Sequence, residues 1–422
     1  MLSEETMERY INILNKELVP ALGCTEPIAI AYAAATARDT LGCMPESLLA
    51  ECSGNIVKNV KSVVIPGTQD MHGIEAAAIL GALGGDAARK LEVLTTLTSD
   101  HIQQAKQLLA RGICQVKLIP SVPGLVIRLH AFYGKHHALV EISGNHTHIT
   151  KIERDKEILL AIQPADLGSV QEDIPEMSIQ EILNFADTVP LQRINDLLLC
   201  QAKYNMKIAE EGLRRPYGAS VGQSLLRTYG NDVKTRARAY AAAGSDARMN
   251  GCQMPVIINS GSGNQGITVS LPVVVYAQHL KASEEELVRA LAVSNLISIH
   301  IKSGIGTLSA YCGAVSAACG CGAAISYLHH CPYEVTAQTV TNILGSVSGI
   351  VCDGAKSSCA AKIAAAVDAA ILSFSMASNG HVFLPGEGLV KDSIEDTIHA
   401  ICEMGRDGMQ ETDLTILQLM IS

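Results

Sequence analysis

The sequence predicts an α+β protein: a large helical domain rich in alanine and glycine, with a small α+β domain inserted into it. Three observations predict this class. Tryptophan is absent and phenylalanine occurs four times, while glycine occurs 35 times. A core of such small residues implies closely packed helices rather than an aromatic-filled sandwich. From Ser178 to the C-terminus the apolar period is mostly helical. Near residue 90 the texture changes to alternating segments, which end at a proline- and acid-rich linker from Gln163 to Glu176. The expected division is therefore a helical domain formed by 1–85 and 170–422, carrying the functional site, and an inserted α+β domain at 86–169. A length of 422 residues accommodates two to three domains of about 150 residues each.

The elements follow in order. Ser3 can cap a first helix whose apolar face is Tyr10, Ile11, Leu14 and Leu18, and Pro20 ends it. Gly23-Cys24-Thr25-Glu26-Pro27 reads as a turn into a second helix, with Thr25 at the N-cap and Glu26 and Pro27 in the first turn. Residues 52–67 read as loop and strand, and a helix follows His72-Gly73 as far as Gly84-Gly85. In the insert, Leu91 to Thr98 alternates like a strand and Ser99 to Arg111 is an amphipathic helix. Gln115 to Pro120, Leu125 to Tyr133 and His137 to Ser143 are strand candidates, with a hairpin around Gly144-Asn145. Beyond the linker, 284–297 and 359–377 are the clearest helices. Glycine- and asparagine-containing loops separate the helical stretches at 260–266, 303–306 and 345–354.

Composition excludes several function classes. A net charge of −10 argues against binding nucleic acid through its phosphates and against a polybasic membrane anchor. Residues 304–328 carry no Asp, Glu, Lys or Arg and are long enough to span a bilayer. They are Gly, Ala, Ser and Cys rather than Leu, Ile and Phe, and read as buried core. The thirteen cysteines are an odd number, and the first ten residues lack the basic-then-apolar pattern of a secretory signal. A reducing cytoplasm is the expected compartment, with thiols serving as core residues, metal ligands or reactive groups.

Cys352-Asp-Gly-Ala-Lys-Ser-Ser-Cys359 is the most pointed segment. On a continuous helix its two thiols would stand roughly 10 Å apart in rise, too far for one metal ion. Either both are core residues, or Cys352 sits in a loop that bends back toward a helix starting at Cys359. Asp353-Gly354 favours the bend. Cys312, which follows the polar stretch from His300 to Ser309, is a third candidate. Cys319 and Cys321 read as packing residues. Cys24 stands ahead of a helix whose dipole should lower its pKa, and it can serve as base, metal ligand or nucleophile. The paired C-x₂₋₄-C knuckles of a zinc site are missing. Ser260-Gly-Ser-Gly-Asn-Gln-Gly266 can cradle a carboxylate or phosphate with its backbone N–H groups, helped by Asn264 and Gln265. Its Ser262-Gly-Asn264 also looks like the phosphate-side loop of pyridoxal-phosphate dehydratases. Ser53-Gly-Asn-Ile-Val-Lys58 is a second polar loop suited to an anion. Either loop can equally be a turn between helices.

Taken together, Gly23-Cys-Thr-Glu-Pro27, Ser53-Gly-Asn-Ile-Val-Lys-Asn59, Ile65-Pro-Gly-Thr68, Gly263-Asn-Gln-Gly266, Leu308-Ser-Ala-Tyr-Cys-Gly313 and Cys352–Cys359 resemble the L-cysteine desulfidase family. That family is similar in turn to the α-chain of iron–sulfur L-serine dehydratases. The resemblance implies an oxygen-sensitive [4Fe–4S] cluster on Cys312, Cys352 and Cys359 with one iron open, and Cys24 as the catalytic thiol. It implies β-elimination of L-cysteine to sulfide, ammonia and pyruvate, with L-serine dehydration as the alternative at the same site. Asn55, Lys58, Asn264, Gln265, His300 and Lys302 are the candidates for gripping the substrate. The expected partners are a small amino acid and a second copy of the chain, with no nucleic acid and no membrane. Two further alternatives stand: a pyridoxal-phosphate enzyme, which requires alternating βα units and a Schiff-base lysine, and a non-catalytic thiol-rich binding protein or redox sensor.

Overall fold

The computed structural model describes residues 2–68, 70–120, 124–162, 177–306 and 309–421. The linker expected at 163–176 and Leu308 of the fifth motif lie outside the described residues. The chain is an α+β protein. Its first part runs α1 (Glu4–Glu17), β1 (Pro20–Leu22), α2 (Thr25–Leu41), β2 (Ser47–Ser53), α3 (Gly54–Val60) and α4 (Ile74–Gly84). Then come α5 (Ser99–Ala110), β3 (Cys114–Ile119), β4 (Val126–Tyr133), β5 (His136–Ser143), β6 (Ile149–Arg154) and β7 (Glu157–Ala161). The helical part follows as α6 (Ile179–Thr188), α7 (Asn195–Arg214), α8 (Val221–Tyr229), α9 (Val233–Met249) and β8 (Pro255–Ile257). It continues with α10 (Gly263–Leu280), α11 (Glu284–Ile305), α12 (Gly313–Leu328) and α13 (Tyr333–Val347), and ends with α14 (Cys359–Ser378), α15 (Ile394–Glu403) and α16 (Gln410–Ile421).

Three sequence expectations fail locally in the first part of the chain: Cys24 rather than Thr25 is the N-cap of α2, and two stretches change class. The stretch at Leu91–Thr98 is not a strand: a tight 3₁₀ turn occupies Ala87–Thr96, capped by Asp86 and kinked at Lys90. Leu91, Val93 and Leu94 are buried there, so the apolar pattern was real but its period was misread. Of the loop and strand expected at 52–67, residues 52–60 are instead the end of β2 and the helix α3, while in the loop beyond them Val64 makes isolated bridges to His72 and Asn250. β2 follows the Gly42 cap of α2 and Pro45, and its alternation of exposed and buried residues starts at Ser47.

The main sheet has the order β3-β2-β4-β5-β6-β7. β2 and β3 are parallel and the other neighbours antiparallel. It therefore takes its second strand from residues 47–53, outside 86–169, and α2 and α4 pack on one face of it. Leu48, Ala50 and Cys52 of β2 point into that layer and are buried. With one parallel pair, the sheet lacks the repeated βα alternation that a pyridoxal-phosphate fold would need.

In the helical part, α12 runs through the middle, packed against α10, α11, α13 and α14, and every residue from Ala314 to Ser326 is buried. Small residues make this possible. A Cβ on Gly320 would meet the Ser294 carbonyl oxygen of α11 at 2.2 Å, and one on Gly81 of α4 would meet that of Ala31 in α2 at 2.2 Å. Among the described residues, α14 alone is long and apolar enough to cross a membrane, by length and composition. It packs along α9, α12 and α13.

Gly320→Ala should destabilise the protein by about 1–3 kcal/mol, because the backbone of α11 has to give way. Gly349→Ala meets nothing within 4 Å and serves as the control. Chemical denaturation midpoints of the two variants measure the difference; equal midpoints would contradict the close-packing account.

Candidate functional site

Four helices begin at one cavity. Cys24 is the N-cap of α2, Ser262 of α10 and Cys312 of α12, and Cys359 is the first residue of α14. All four line a cavity of about 110 Å³, as do Cys352 and Lys302. For scale, a cavity of about 150 Å³ accommodates a benzene ring. Each helix N-terminus presents free N–H groups and a partial positive charge. The cavity is thus built to receive an anion or an electron-rich group.

Backbone pairing brings these distant segments together. β1 pairs antiparallel with β8 (Ala21 opposite Val256), so the Cys24 turn and the 258–262 loop leave the same short ladder. Gly23 has φ +65°, and a Cβ on it would lie 2.2 Å from Cγ of Pro66. The Ile65–Thr68 motif therefore backs the Cys24 turn, and only glycine suits that position. Tyr311 bridges Val351: Cys312 N donates to Ile350 O at 3.0 Å and Cys352 N to Ala310 O at 2.6 Å. These two bonds hold Cys312 beside Cys352.

The Cys352–Cys359 loop does bend back. Asp353 accepts from Lys356 and Lys362, whose Nζ atoms also reach the carbonyl oxygens of Asp353 (2.9 Å) and Val351 (2.8 Å) respectively. Burial would raise the Asp353 carboxyl, but the two lysines overcome it and hold it down to about 2. Gly354, at φ +92°, lies against the Lys58 carbonyl oxygen, 2.4 Å from where a Cβ would sit. The Ser53–Asn59 motif thus supports the loop from behind.

The sequence-predicted residues divide. Cys24, Cys312, Cys352, Cys359, Asn264, Gln265 and Lys302 line the cavity. Asn55, Lys58 and His300 do not. Lys58 is buried and paired with Asp413 of α16. His300 Nε2 faces Glu395 Oε2 of α15 at 2.7 Å. The polar loop expected at 300–309 is instead the last turns of α11, which run to Ile305 and turn His300 away from Lys302.

Electrostatics corrects the expectation for Cys24. The thiol is 3% exposed and donates to Glu26 Oε2 at 2.8 Å. Burial, then the Glu26 carboxylate, push its pKa well up. A helix N-terminus contributes at most about 2 kcal/mol, whereas full burial moves a pKa by up to about 3–5 units, so burial wins. Burial also raises Cys312 to about 12, with Cys352 adding to the shift, and raises Cys359. Lys302, 5% exposed, is lowered to about 8 by burial, partly offset by Cys352 and Cys312.

Glu26, Arg248 and Lys362 are among the residues of this site that were not picked out as site residues from the sequence. Glu26 accepts from Cys24, from Thr25 Oγ1 (3.1 Å) and from Asn59 Nδ2 (3.0 Å), with His146 Nε2 at 3.9 Å. Burial works against its charge, but His146 and then Cys24 hold its carboxyl down to about 2. Arg248 of α9 is 2% exposed and gives Nη1 to Asn264 Oδ1 at 3.2 Å. A glutamate two residues after Cys24 could have been read as its partner; Arg248, in an alanine-rich helix, carried no sequence signal.

Among the described residues, no three Cys, His, Asp or Glu side chains stand close enough to hold a single metal ion. One tetrahedral ion needs its sulfurs within roughly 4 Å, given Zn–S near 2.3 Å. An iron–sulfur cluster spreads its thiolates over separate irons and tolerates wider spacing. Three sulfur donors from separate elements around one cavity, with helix N-termini and Lys302 and Lys362 to balance negative charge, suit such a cluster.

Comparison with known proteins adds an independent finding. A sequence model described as "Serine dehydratase alpha chain" matches residues 88–418. A UPF0597 protein of Lachnoclostridium phytofermentans is 53% identical over 98% of this chain and 100% of its own length. Others, from Desulfitobacterium hafniense and Treponema denticola, are 50% and 47% identical over 98% and 100% of this chain, and over 97% and 99% of their own.

Replacing Asp353 with Ala should free the cysteine loop while leaving the fold intact. Loss of charge-assisted bonds worth about 1.5–3 kcal/mol predicts alkylation of Cys352 and Cys359 in the native protein roughly 10-fold faster or more. Mass spectrometry of timed alkylation measures it, and an unchanged rate would show that the clamp does not hold the loop.

Proposed function

Because the chain belongs to the serine dehydratase alpha-chain family, we propose that it is a lyase that eliminates the β-substituent of a small L-amino acid, L-cysteine or L-serine. In this reading a [4Fe–4S] cluster is held by Cys312, Cys352 and Cys359. The observation that carries it is the meeting of these three thiols at a cavity where four helices begin. When bound, the cluster supplies a Lewis-acidic iron with an open position.

The chain's own residues do the rest. The cavity excludes all but a small substrate. Lys302, which lines the cavity, takes the proton from Cα with Nζ in its neutral form. Cys24, oriented by the hydrogen bond that it donates to Glu26, gives its proton to the departing sulfide or hydroxide, and the proton that Lys302 took from Cα returns to the Cys24 thiolate to close the cycle. The elimination yields 2-aminoacrylate and hydrogen sulfide or water; hydrolysis of 2-aminoacrylate gives pyruvate and ammonia. Atoms and electrons balance without an external oxidant or reductant.

Anaerobic iron and sulfide quantitation on fresh protein, followed by L-cysteine and L-serine assays side by side, tests the reading. Cys312→Ser, Cys352→Ser and Cys359→Ser should each lose iron and activity together. Cys24→Ser and Lys302→Met should keep iron and lose turnover by about 100-fold or more. Exposure of the loaded protein to air should cost activity and iron in parallel. Reconstituted wild type that releases neither pyruvate nor sulfide would overturn the proposal, and iron content that follows Cys319 and Cys321 would overturn the ligand assignment.

A further inference from the structure

Two buried polar atoms on the cavity wall have no partner. Arg248 Nε and Gln265 Oε1 are fully covered and make no hydrogen bond among the described residues. Both side chains line the cavity, and they are only 2% and 5% exposed. Leaving such groups unpaired is costly, and a buried guanidinium without a counter-ion is costlier still. No carboxylate among the described residues forms an ion pair with Arg248; its one side-chain bond goes to the neutral Asn264.

The surroundings hold both groups in place. A Cβ on Gly263, the first residue of α10, would lie 2.2 Å from Arg248 Nε, so glycine leaves the room that the guanidinium occupies. A Cβ on Gly313, the first residue of α12, would lie 2.6 Å from Gln265 Cδ, so the amide is wedged beneath that helix start. Ser262 caps α10 and orders the turn that carries Asn264 and Gln265.

We propose that Arg248 and Gln265 form a preformed clamp for the backbone end of an α-amino acid: Arg248 takes the carboxylate and Gln265 Oε1 takes the ammonium. A planar guanidinium with a free edge matches a carboxylate. An amide oxygen with no donor matches an ammonium, which has three N–H groups and no acceptor. Held in this way, the substrate presents its Cα and Cβ to the remaining walls, where Lys302, Cys24 and the three other thiols lie. The ligand class is therefore a small zwitterionic monocarboxylate. An amine alone or an acid alone leaves one orphan unsatisfied.

The clamp deepens the elimination reading but is tested separately from it. The probe is L-alanine, which has both end groups and no leaving group, titrated calorimetrically into the anaerobic, cluster-loaded protein beside ethylamine and propionate. Wild type should bind L-alanine on the order of 100-fold more tightly than either. Arg248→Gln should lose most of the preference for L-alanine over ethylamine and raise KM for the reacting substrate far more than it lowers kcat, with iron content unchanged. Arg248→Lys should recover part of the loss. If Arg248→Gln does not fold, the three-ligand series on wild type still decides. Ethylamine or propionate binding as tightly as L-alanine, no L-alanine binding at all, or an unchanged KM in Arg248→Gln each overturns the clamp. Unchanged KM with full turnover would leave the elimination reading standing. L-alanine binding with the predicted selectivity, but no product from L-cysteine or L-serine, would overturn the elimination reading and leave the clamp.

Discussion

The constraint on which the rest depends is electrostatic. Four helices start at one small cavity, so their free N–H groups and dipole ends accumulate positive potential there. Arg248 and Lys302 line the same cavity, and so does Lys362, whose charge is already paired with Asp353. Within it Glu26 is the negative side chain, and it is already shared among Cys24, Thr25 and Asn59. A protein does not concentrate uncompensated positive charge in its interior without something to neutralise it. Thiolates carrying an iron–sulfur cluster, together with a substrate carboxylate, would supply that negative charge.

The scaffold serves this convergence. The β1–β8 ladder, the Tyr311–Val351 bridge, the Gly23–Pro66 contact and the Gly354–Lys58 contact each join segments far apart in the chain. They explain why short polar motifs recur along so long a sequence. Some of them, such as Ser53–Asn59 and Ile65–Thr68, support the site through backbone contact from behind rather than through the side chains that first draw notice. Lys58 is the clearest case. It looked like an anion-binding lysine, but its Nζ is spent on Asp413 of the C-terminal helix, while its carbonyl oxygen backs the cysteine loop.

Much of the fold was legible because its causes are local. Ser3 caps the first helix, the helix read at 284–297 is the start of α11, and the alternation in β4 and β5 reads directly as strands. Legibility fell where a local pattern admits two periods. Leu91 to Thr98 alternates as a strand would, yet a 3₁₀ turn buries the same residues. The site was legible in its thiols, since cysteine is sparse enough among polar loops to stand out. Its electrostatics were not: Cys24 sits at a helix start, as read, but burial outweighs the dipole and holds the proton on sulfur.

The sequence by itself determined the class of the fold, the close packing of helices through alanine and glycine, and the set of thiols worth watching. Those are properties of composition, of period and of capping, which act over a few residues. Only the tertiary structure decided which of the polar residues share the cavity, that β2 joins the sheet, and that Arg248 and Gln265 are left with unpaired atoms. Whether a buried charge has a partner depends on every element packed around it, and no stretch of chain carries that information alone.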